Sequence, residues 1–427
     1  MSYDYIAGLA IVLLLISSLI VRSRRPQTPV WSIMAFLSFL TILFRLVKPS
    51  ELESVIDLDV ILFLIGMFTI VGFAEASGLI EAVSIWFVSL FKTRYSLLCA
   101  SSVLFGLLAA IAMNDTVAFM GPPIAYAIAR AINVDPKAMF LLLAFSLTIG
   151  SVTTPVGNPQ NILIVEKSDL EAPFIRFVEY LLMPTLINLF ITPFIIIKFF
   201  RIENQRVNIA LIPHEALKDK REALLAAIGL FSSITALVIN DVFQLIGLPY
   251  ISKRGFIPFI ISAALYIASR NPRRILANVD WGTIIFFITM FITMEGVWRS
   301  GVLNPLFNMF MPKKLEGIQA IVSIAIISIV VSQIVSNVPF AKLFIRYMKS
   351  LGYTNSDYVP WLTLAMASTI AGNLTLLGAA SNIIIVEYLE SRMSTSISFT
   401  EFLRTGVIVT IVNVAIYVAV LALMMII

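Results

Sequence analysis

The chain of 427 residues has little cysteine, histidine or charge. Its single cysteine, Cys99, excludes a disulfide framework, and its single histidine, His214, excludes the usual zinc and haem ligand sets. Only 13% of the residues are charged, and the net charge of +5 comes from loop residues rather than from a nucleic-acid-binding surface. With neither a P-loop nor an HExxH motif, the sequence predicts no cofactor, no nucleic-acid partner and no enzymatic activity.

Hydrophobic residues dominate the chain instead. They make up 59% of it, the mean hydropathy is +0.96, and apolar runs of about 20 residues, enough to cross a bilayer as a helix, recur throughout. Residues 5–20 lack the basic start and small-residue cleavage site of a signal peptide, so we interpret them as the first span. The sequence therefore predicts an all-α polytopic membrane protein embedded in the lipid bilayer.

Residues 149–166, IGSVTTPVGNPQNILIVE, are apolar at both ends but cannot form a regular helix in the middle. Pro155 and Pro159 each remove a backbone donor, while Gly150 and Gly157 permit a positive φ and the close approach of other groups. Hydroxyl and amide side chains surround this break, where backbone carbonyl groups lose their partners. Within lipid, such a break is tolerated only if protein buries it or if it lines a polar cavity.

The same pattern returns at residues 370–387, IAGNLTLLGAASNIIIVE. An offset of 221 residues places Gly157 on Gly378 and gives eight identities in this window of 18 residues. The second copy has no proline. The residues on which its break would depend are Gly372, Asn373, Gly378 and Ser381.

Hydropathy divides the chain into two halves of one design, each with five transmembrane spans and one re-entrant hairpin, and with its fourth span (spans 4 and 9) broken at mid-membrane. An offset of 223 residues aligns the hairpin tips, with Asn114 on Asn337. Because five crossings is an odd number, the two repeats should have inverted topologies. The predicted segments are a first repeat at 1–200 with hairpin 96–131 and broken span 138–166, a cytoplasmic linker at 201–221, and a second repeat at 222–427 with hairpin 318–347 and broken span 359–387.

The basic residues indicate an orientation. With the arginine-rich loop at residues 22–25 inside, the cytoplasmic loops carry more Lys and Arg than the outer loops. Both termini are then extracytoplasmic, in a multi-pass protein of the plasma membrane.

Asp115 is the sharpest candidate for chemistry, because ionisable groups at membrane depth are rare and usually functional. It lies at the first hairpin tip between Asn114 and Thr116, and the second tip, Ser336-Asn337-Val338-Pro339, has no acid. Asp115 could bind Na⁺ or exchange a proton, or it could simply be the N-cap of a helix starting near Ala118.

The hairpin tips and the two breaks form the predicted binding set. Free N–H and C=O groups at broken helices attract anionic or oxygen-rich solutes and cations. A Na⁺ ion is expected near Asn114, Asp115, Thr154 and Asn158. The candidate substrate- and ion-binding residues are Asn114, Asp115, Thr116, Thr153, Thr154, Gly157, Asn158, Asn161, Ser336, Asn337, Asn373, Thr375, Gly378, Ser381 and Asn382.

Four glutamates also lie in apolar surroundings. Glu75 and Glu295 are each either a proton relay or a member of a structural pair with a neighbouring amide. Glu166 and Glu387 are related by the offset of 221 and lie toward span ends, where a side chain easily reaches the interface, so a structural role is the better interpretation.

Four segments carry a resemblance to a known group of proteins: Asn114-Asp115-Thr116, TTPVGNPQN at 153–161, SNVP at 336–339 and GNLTLLGAASN at 372–382. They resemble the ion transporter superfamily, which includes arsenite permeases of the arsenical-pump membrane protein type, NhaD-type sodium/proton antiporters, citrate transporters and divalent-anion:sodium symporters. The resemblance covers nearly the whole chain and is nearest to the arsenite permease and anion permease branch.

In the symporter branch, the resemblance implies two sites that bind a substrate carboxylate and sodium. One would contain Asn114, Thr116, Thr154, Gly157 and Asn158, and the other Ser336, Asn337, Asn373, Thr375 and Gly378. This chain departs from the symporter pattern, since Met113 and Asp115 replace a Ser-Asn-Thr tip and Val338 replaces the second threonine. A carboxylate repels a dianion unless a cation or proton neutralises it, which favours a neutral hydroxylated solute or a cation.

The preferred interpretation is a secondary active transporter of a small inorganic or organic anion or oxyacid, with arsenite or antimonite efflux the best guess, coupled to H⁺ or Na⁺ by alternating access. The alternatives are a Na⁺-coupled dicarboxylate or sulfate symporter, a Na⁺/H⁺ antiporter, and the membrane subunit of an arsenite pump whose ATPase is a separate partner subunit. A homodimer also remains open. Duplicated broken helices suit alternating access better than a plain channel.

Overall fold

The computed structural model describes residues 2–24, 28–207, 216–376, 378–393 and 396–425. Within these ranges the chain is helical and has no β-strand, only one isolated bridge between Thr93 and Arg206. His214 and the middle of the predicted linker lie outside the described residues. The all-α prediction is confirmed.

Within its described residues the first half contains ten α-helices. They are α1 Tyr3–Arg24, α2 Val30–Leu43, α3 Leu52–Val55, α4 Leu58–Ala76, α5 Leu79–Ser89, α6 Arg94–Ala112, α7 Asn114–Ala131, α8 Pro136–Ser151, α9 Pro159–Ser168 and α10 Pro173–Phe200. Two short 3₁₀ turns lie at Pro49–Glu51 and Pro155–Gly157.

The second half repeats this order within its described residues. Its helices are α11 Lys220–Leu245, α12 Phe256–Ala268, α13 Pro272–Ala277, α14 Trp281–Ser300, α15 Asn304–Phe310, α16 Gly317–Val335, α17 Asn337–Ser350, α18 Tyr358–Ile370, α19 Ala380–Met393 and α20 Phe399–Met424. A 3₁₀ turn lies at Ala371–Asn373. The opposite orientation of the two halves across the membrane stays a prediction, as do their boundaries.

Seven of the described helices are long and apolar enough to cross a membrane: α4, α6, α10, α11, α14, α16 and α20. The arms α6 and α16 meet this criterion although each belongs to a helical hairpin. The half-helix α8, by contrast, is too short alone, because a break divides it from α9. Length and composition therefore identify apolar helices but do not distinguish a crossing from a re-entrant arm.

Two helix starts differ from the sequence prediction. Hydropathy predicts a fifth span that begins near Leu181, but α10 begins at Pro173, since a proline is well placed in the first turn of a helix. The helix after the predicted linker, α11, begins at Lys220, and the extent of the linker stays a prediction. Asp115 is not the N-cap of a helix starting near Ala118: α7 begins at Asn114, and Met113, with a φ of +69°, makes the turn between the hairpin arms.

The described helices pack into two groups. In the first group α4 lies against α11 and α12, and α14 lies against α1 and α2. The second group consists of the hairpins and broken helices, α6–α10 and α16–α20, with α8 and α18 in its interior. Every residue from Ala138 to Ser151 and from Trp361 to Ile370 is buried. The ends of these two helices, where the breaks begin, therefore lie deep inside the protein.

Candidate substrate and ion site

The first hairpin turns sharply between α6 and α7. Asn114 is buried, and its side-chain Oδ1 accepts a hydrogen bond from the Asp115 amide at 2.8 Å. Asp115 and Thr116 are half-buried in the first turn of α7. The carboxylate therefore lies at the N-terminal end of α7.

The first break is tied to the first hairpin. The Thr154 hydroxyl donates to the carbonyl of Ala110 in α6 at 2.5 Å and accepts from the Gly157 amide at 3.0 Å. A methyl group at Gly150 would overlap the backbone of Gly106, so α8 and α6 touch backbone to backbone here. The break and the hairpin therefore form one packed unit.

Asparagine side chains repair the backbone at this break. Asn161 Nδ2 donates to the carbonyl oxygens of Ser151 and Thr154, at 3.1 and 2.9 Å. Asn158 Nδ2 also donates to the Ser151 carbonyl, at 3.2 Å, and Asn158 Oδ1 caps α9 by accepting from the Asn161 amide. The prediction that amides lie where the proline-containing break frees carbonyl groups is confirmed.

The second break repeats this geometry without proline. Asn382 Nδ2 donates to the carbonyls of Gly372 and Thr375, at 2.8 and 3.3 Å. The offset of 221 places Asn161, Ser151 and Thr154 on these three residues. The equivalent hydrogen bonds therefore recur at the predicted positions of the second copy.

The second break is also tied to its hairpin. The Thr375 hydroxyl donates to Gln333 Oε1 at 2.8 Å, and Gln333 Nε2 donates to the Ala371 carbonyl at 2.8 Å. At the tip, a methyl group built on Gly372 would lie 3.4 Å from Asn337 Nδ2. Gln333 occupies the position of Ala110 under the offset of 223. The threonine hydroxyl of the break therefore donates to a side-chain oxygen in the second repeat and to a backbone carbonyl in the first.

Thr369 joins the two breaks. Its hydroxyl accepts from Asn158 Nδ2 at 3.0 Å and from Gln160 Nε2 at 3.3 Å. A methyl group on Gly372 would also lie 3.7 Å from Thr148 Cγ2 of the first repeat. The structure therefore brings together two breaks that are about half the chain apart in sequence.

All fifteen predicted binding residues lie within the described part of the chain. Ten are buried: Asn114, Thr153, Gly157, Asn158, Asn161, Asn337, Asn373, Gly378, Ser381 and Asn382. Five are half-buried: Asp115, Thr116, Thr154, Ser336 and Thr375. Their roles in binding stay predictions.

Several buried polar atoms in this cluster have no hydrogen-bond partner among the described residues. They are Oδ1 of Asn161, Asn337 and Asn382, both amide atoms of Asn373, and the Ser381 hydroxyl. The orientations of Asn161 and Asn382 are fixed, because each Nδ2 donates to two carbonyls. Their free atoms are therefore carbonyl oxygens, which can accept hydrogen bonds or coordinate a cation.

The sequence interpretation missed four residues of this site: Ser151, Gln160, Gln333 and Thr369. For Thr369 a signal existed, because the offset of 221 places the identical Thr148 on it. Gln333 had no such signal, since its counterpart is Ala110. Ser151 contributes chiefly its backbone carbonyl, which no side-chain pattern reveals.

The other acidic residues differ in their surroundings. Glu295 is buried and forms ion pairs with Arg299, at 2.8 Å, and with Arg346 on the second hairpin, so its partners are arginines rather than the amide expected from the sequence. Glu387 is exposed. Asp280, the N-cap of α14, is close enough to Asp115 to repel its charge. A second negative charge near Asp115 favours a cation or proton there.

Comparisons with known proteins agree with this fold. A family model described as citrate transporter, CitMHS, matches residues 11–371. An uncharacterised transporter of Mycobacterium tuberculosis H37Rv is 26% identical over 378 residues, covering 85% of each chain. The silicon efflux transporter LSI3 of Oryza sativa subsp. japonica is 24% identical over 403 residues, covering 82% of each chain.

Two further proteins are similar over most of the chain. The transporter arsB of Dictyostelium discoideum is 23% identical, covering 90% of this chain and 85% of its own. The crystal structure of the Alcanivorax borkumensis YdaH transporter superposes with a TM-score of 0.55 at 11% identity, covering 99% of this chain and 98% of the other. The family model spans most of this chain and its relatives are transporters, and so the chain belongs to the CitMHS citrate transporter family of the ion transporter superfamily and is an integral membrane transporter.

Proposed function

We propose that this protein is a secondary active transporter of a small hydroxylated inorganic acid, with arsenous or antimonous acid the best candidates, coupled to H⁺ or Na⁺. The observation that carries the proposal is the chemistry of the buried cluster at the two breaks. Its uncommitted groups are mainly amide carbonyl oxygens, and its ionisable group is the Asp115 carboxylate.

The free groups match a ligand that donates hydrogen bonds. Asn161 Oδ1 and Asn382 Oδ1 can accept from the hydroxyls of a neutral acid, and Asn373 and Ser381 add both donors and acceptors. A dicarboxylate would instead need donors or cations. A bound anion offers these side-chain oxygens no hydrogen to accept, and leaving them unpaired beside its negative charge costs free energy. The oxygens therefore discriminate against an anion that binds without a counter-cation.

Asp115 supports coupling to a cation. It is half-buried, it forms no ion pair among the described residues, and Asp280 is the carboxylate that repels it. Of the four residues expected around Na⁺, Thr154 and Asn158 already use their oxygens in hydrogen bonds, whereas the Asp115 carboxylate is available. A proton or one Na⁺ would therefore bind at Asp115.

The two helix groups support alternating access. The tips and breaks belong to the second group, which contacts the first through a few element pairs, among them α10 with α11, α14 with α17 and α4 with α9. We infer that the second group moves against the first while carrying the bound solute. Because each tip is bonded to its own break, the site would move as one unit.

Citrate is the second candidate substrate, favoured by the description of the matched family. It would enter this cluster with a bound cation, because Asp115 would otherwise repel it. The silicon efflux relative and the arsB relative favour the neutral-acid alternative, since their names refer to solutes or systems of that chemistry.

The test is transport by the purified chain alone in proteoliposomes, without ATP. Arsenite, silicic acid, citrate and sulfate would each be offered under an imposed pH gradient and then under a Na⁺ gradient. Gradient-driven arsenite or silicic acid movement supports the proposal and names the coupling ion. Movement of citrate or sulfate alone would overturn the neutral-acid substrate, and movement only with an added ATPase would overturn secondary transport.

Asp115→Asn is the decisive variant. We expect it to abolish coupling to the ion gradient while the protein remains extractable in folded form, because Asp115 forms no ion pair among the described residues. The control is Asp169→Asn, which removes an exposed acid that pairs with Lys349. Full coupled transport by Asp115→Asn would remove this carboxylate from the mechanism.

A further inference from the structure

A separate cluster of charged side chains lies where α4 and α9 meet the segment before α12. Asp59, in the first turn of α4, is 4% exposed, and Glu166, near the end of α9, is half-buried. Their carboxyl groups are within hydrogen-bonding reach of each other. Neither belongs to the cluster of tips and breaks.

The hydrogen bonds of Asp59 leave one of its two carboxylate oxygens without a donor. Asp59 Oδ1 accepts from the Gly255 amide at 3.0 Å. Asp59 Oδ2 is buried and receives no hydrogen bond from any described residue. Two carboxylates supply only acceptors, so they can sit in hydrogen-bonding contact only if one proton lies between them.

The nearby cations have partners of their own, although Arg254, whose Nε makes no hydrogen bond among the described residues, also attracts the Glu166 carboxylate. Lys167 pairs with Asp57, and the buried Arg254 guanidinium lies 3.5 Å from Asp241 and donates to Gln244 at 2.8 Å. The other charges that face this region are Lys253 near Asp57 and Lys342, whose ammonium lies 4.8 Å from the centre of the Phe291 ring. A proton therefore neutralises the pair without disturbing these contacts.

The pair bridges the two helix groups, since α4 belongs to the first and α9 to the second. The second repeat has no equivalent. The offset of 223 places Gly282 on Asp59, and the offset of 221 places the exposed Glu387 on Glu166. The contact is therefore present at only one of the two related positions, as expected of a device that acts in one state of the transport cycle.

We propose that Asp59 and Glu166 form a proton-binding site that holds the two helix groups together when it carries one proton. On release, the O–H bond of the shared carboxyl breaks, the proton passes to water, and two carboxylates remain that repel each other. The groups then separate at this contact. We call the protonated pair a latch, because it holds the two helix groups together. Its role as a latch rests on the proposed movement of the two helix groups, whereas the proton site itself does not.

Infrared titration of the purified protein tests the site without any substrate. From about pH 5 to about pH 9, a range that spans perturbed carboxyl groups, the wild type should lose a carboxylic-acid carbonyl absorption. Glu166→Gln and Asp59→Asn should lack that change, because an amide can donate to the remaining carboxylate and no shared proton is needed. Glu387→Gln, the matched control, should retain it. No titrating absorption in the wild type, or an unchanged one in both variants, would overturn the proposal.

Transport in proteoliposomes then tests the latch. For the solute that the wild type moves, both variants should lose the pH dependence of the rate, while Glu387→Gln keeps it. Variants with unchanged pH dependence would overturn the latch. If the wild type moved no solute, the proposed function would fail while the infrared titration still decided the proton site. If a variant failed to fold, as judged by aggregation in detergent, the other variant would decide.

Discussion

Gly157 and Gly378 occupy equivalent positions in the two breaks, yet the structure predicts that only one of them is strictly required. Neither has a positive φ, so alanine can adopt either backbone conformation. What differs is the space around each Cα. A methyl group at Gly157 would overlap the Ser151 carbonyl oxygen and lie 2.7 Å from its carbon and Cα, whereas at Gly378 the nearest atoms are carbonyl oxygens at 3.0 Å.

The distances give the expected size of the effect. Ordinary contact begins near 3.4 Å and the Ser151 carbonyl oxygen would lie at 2.0 Å, so Gly157→Ala requires a shift of about 1.4 Å in rigid backbone, and Gly378→Ala a shift of a few tenths of an ångström. Overpacking of this kind costs about 1–3 kcal/mol. Replacing glycine also stabilises by about 0.4–1 kcal/mol through the unfolded chain. We therefore expect Gly378→Ala to be nearly neutral and Gly157→Ala to destabilise the protein by about 1–2 kcal/mol.

The transport consequence should be larger than the loss of stability. The Ser151 carbonyl accepts from Asn158 and Asn161, so moving it disturbs the residues that shape the first break. Thermal unfolding of both variants in detergent and transport in proteoliposomes would measure the two effects. If Gly157→Ala matched the wild type in both assays, or if Gly378→Ala were equally damaging, the assigned close approach would be refuted.

Two further substitutions test ion pairs. Glu295→Gln leaves Arg299 and Arg346 without their buried partner, and because both guanidinium groups are partly exposed and can rehydrate, we expect a loss of about 1–3 kcal/mol in thermal unfolding. In the loop before α18, burial raises the pKa of Asp357, but hydrogen bonds from a backbone amide and Lys314 outweigh it and hold that pKa below its usual range. Its stabilisation is therefore present above about pH 4 and lost as the pH falls further. Asp357→Asn should destabilise by about 0.5–1 kcal/mol at neutral pH, with the difference disappearing in acid.

Each of these predictions has a contradicting result. Glu295→Gln with wild-type unfolding would mean that the two arginines are held by other contacts. Asp357→Asn that differed from the wild type equally at neutral and acid pH would show that its charge is not the stabilising feature. Lys314→Met, which removes the partner and keeps the stem, is the matched control for the loop pair.

Much of the fold could be predicted from the sequence because its signals are local. Apolar runs gave the helices to within a few residues for most spans, and the prolines at 155 and 159 located the first break. Where a signal was indirect, the prediction was less exact. The charged residues Arg176 and Glu179 lower the hydropathy of the first turns of α10, so the predicted span begins later than Pro173, where the helix starts. Asp115 was considered as the N-cap of a helix that in fact starts one residue before it.

The second break illustrates what a repeat adds to local patterns. Its sequence has no proline, and glycine alone is weak evidence for a break. The matching asparagine, Asn382, nevertheless makes the same pair of hydrogen bonds as Asn161. Comparison of the two copies therefore supplied information that neither copy contained alone. The comparison of the copies could not predict the role of Gln333, because the acceptor of the threonine hydroxyl is a backbone carbonyl in the first repeat and a glutamine side chain in the second.

The sequence by itself determined the membrane character, the helical order, the two breaks and the residues around them, because hydropathy, proline and internal identity act over short distances along the chain. Only the tertiary structure decided which side chains meet. It joined the breaks through Thr369, paired Glu295 with the second hairpin, and placed Glu166 against Asp59. Such contacts join residues more than 50 positions apart, so they depend on how helices pack and cross, which no local pattern encodes.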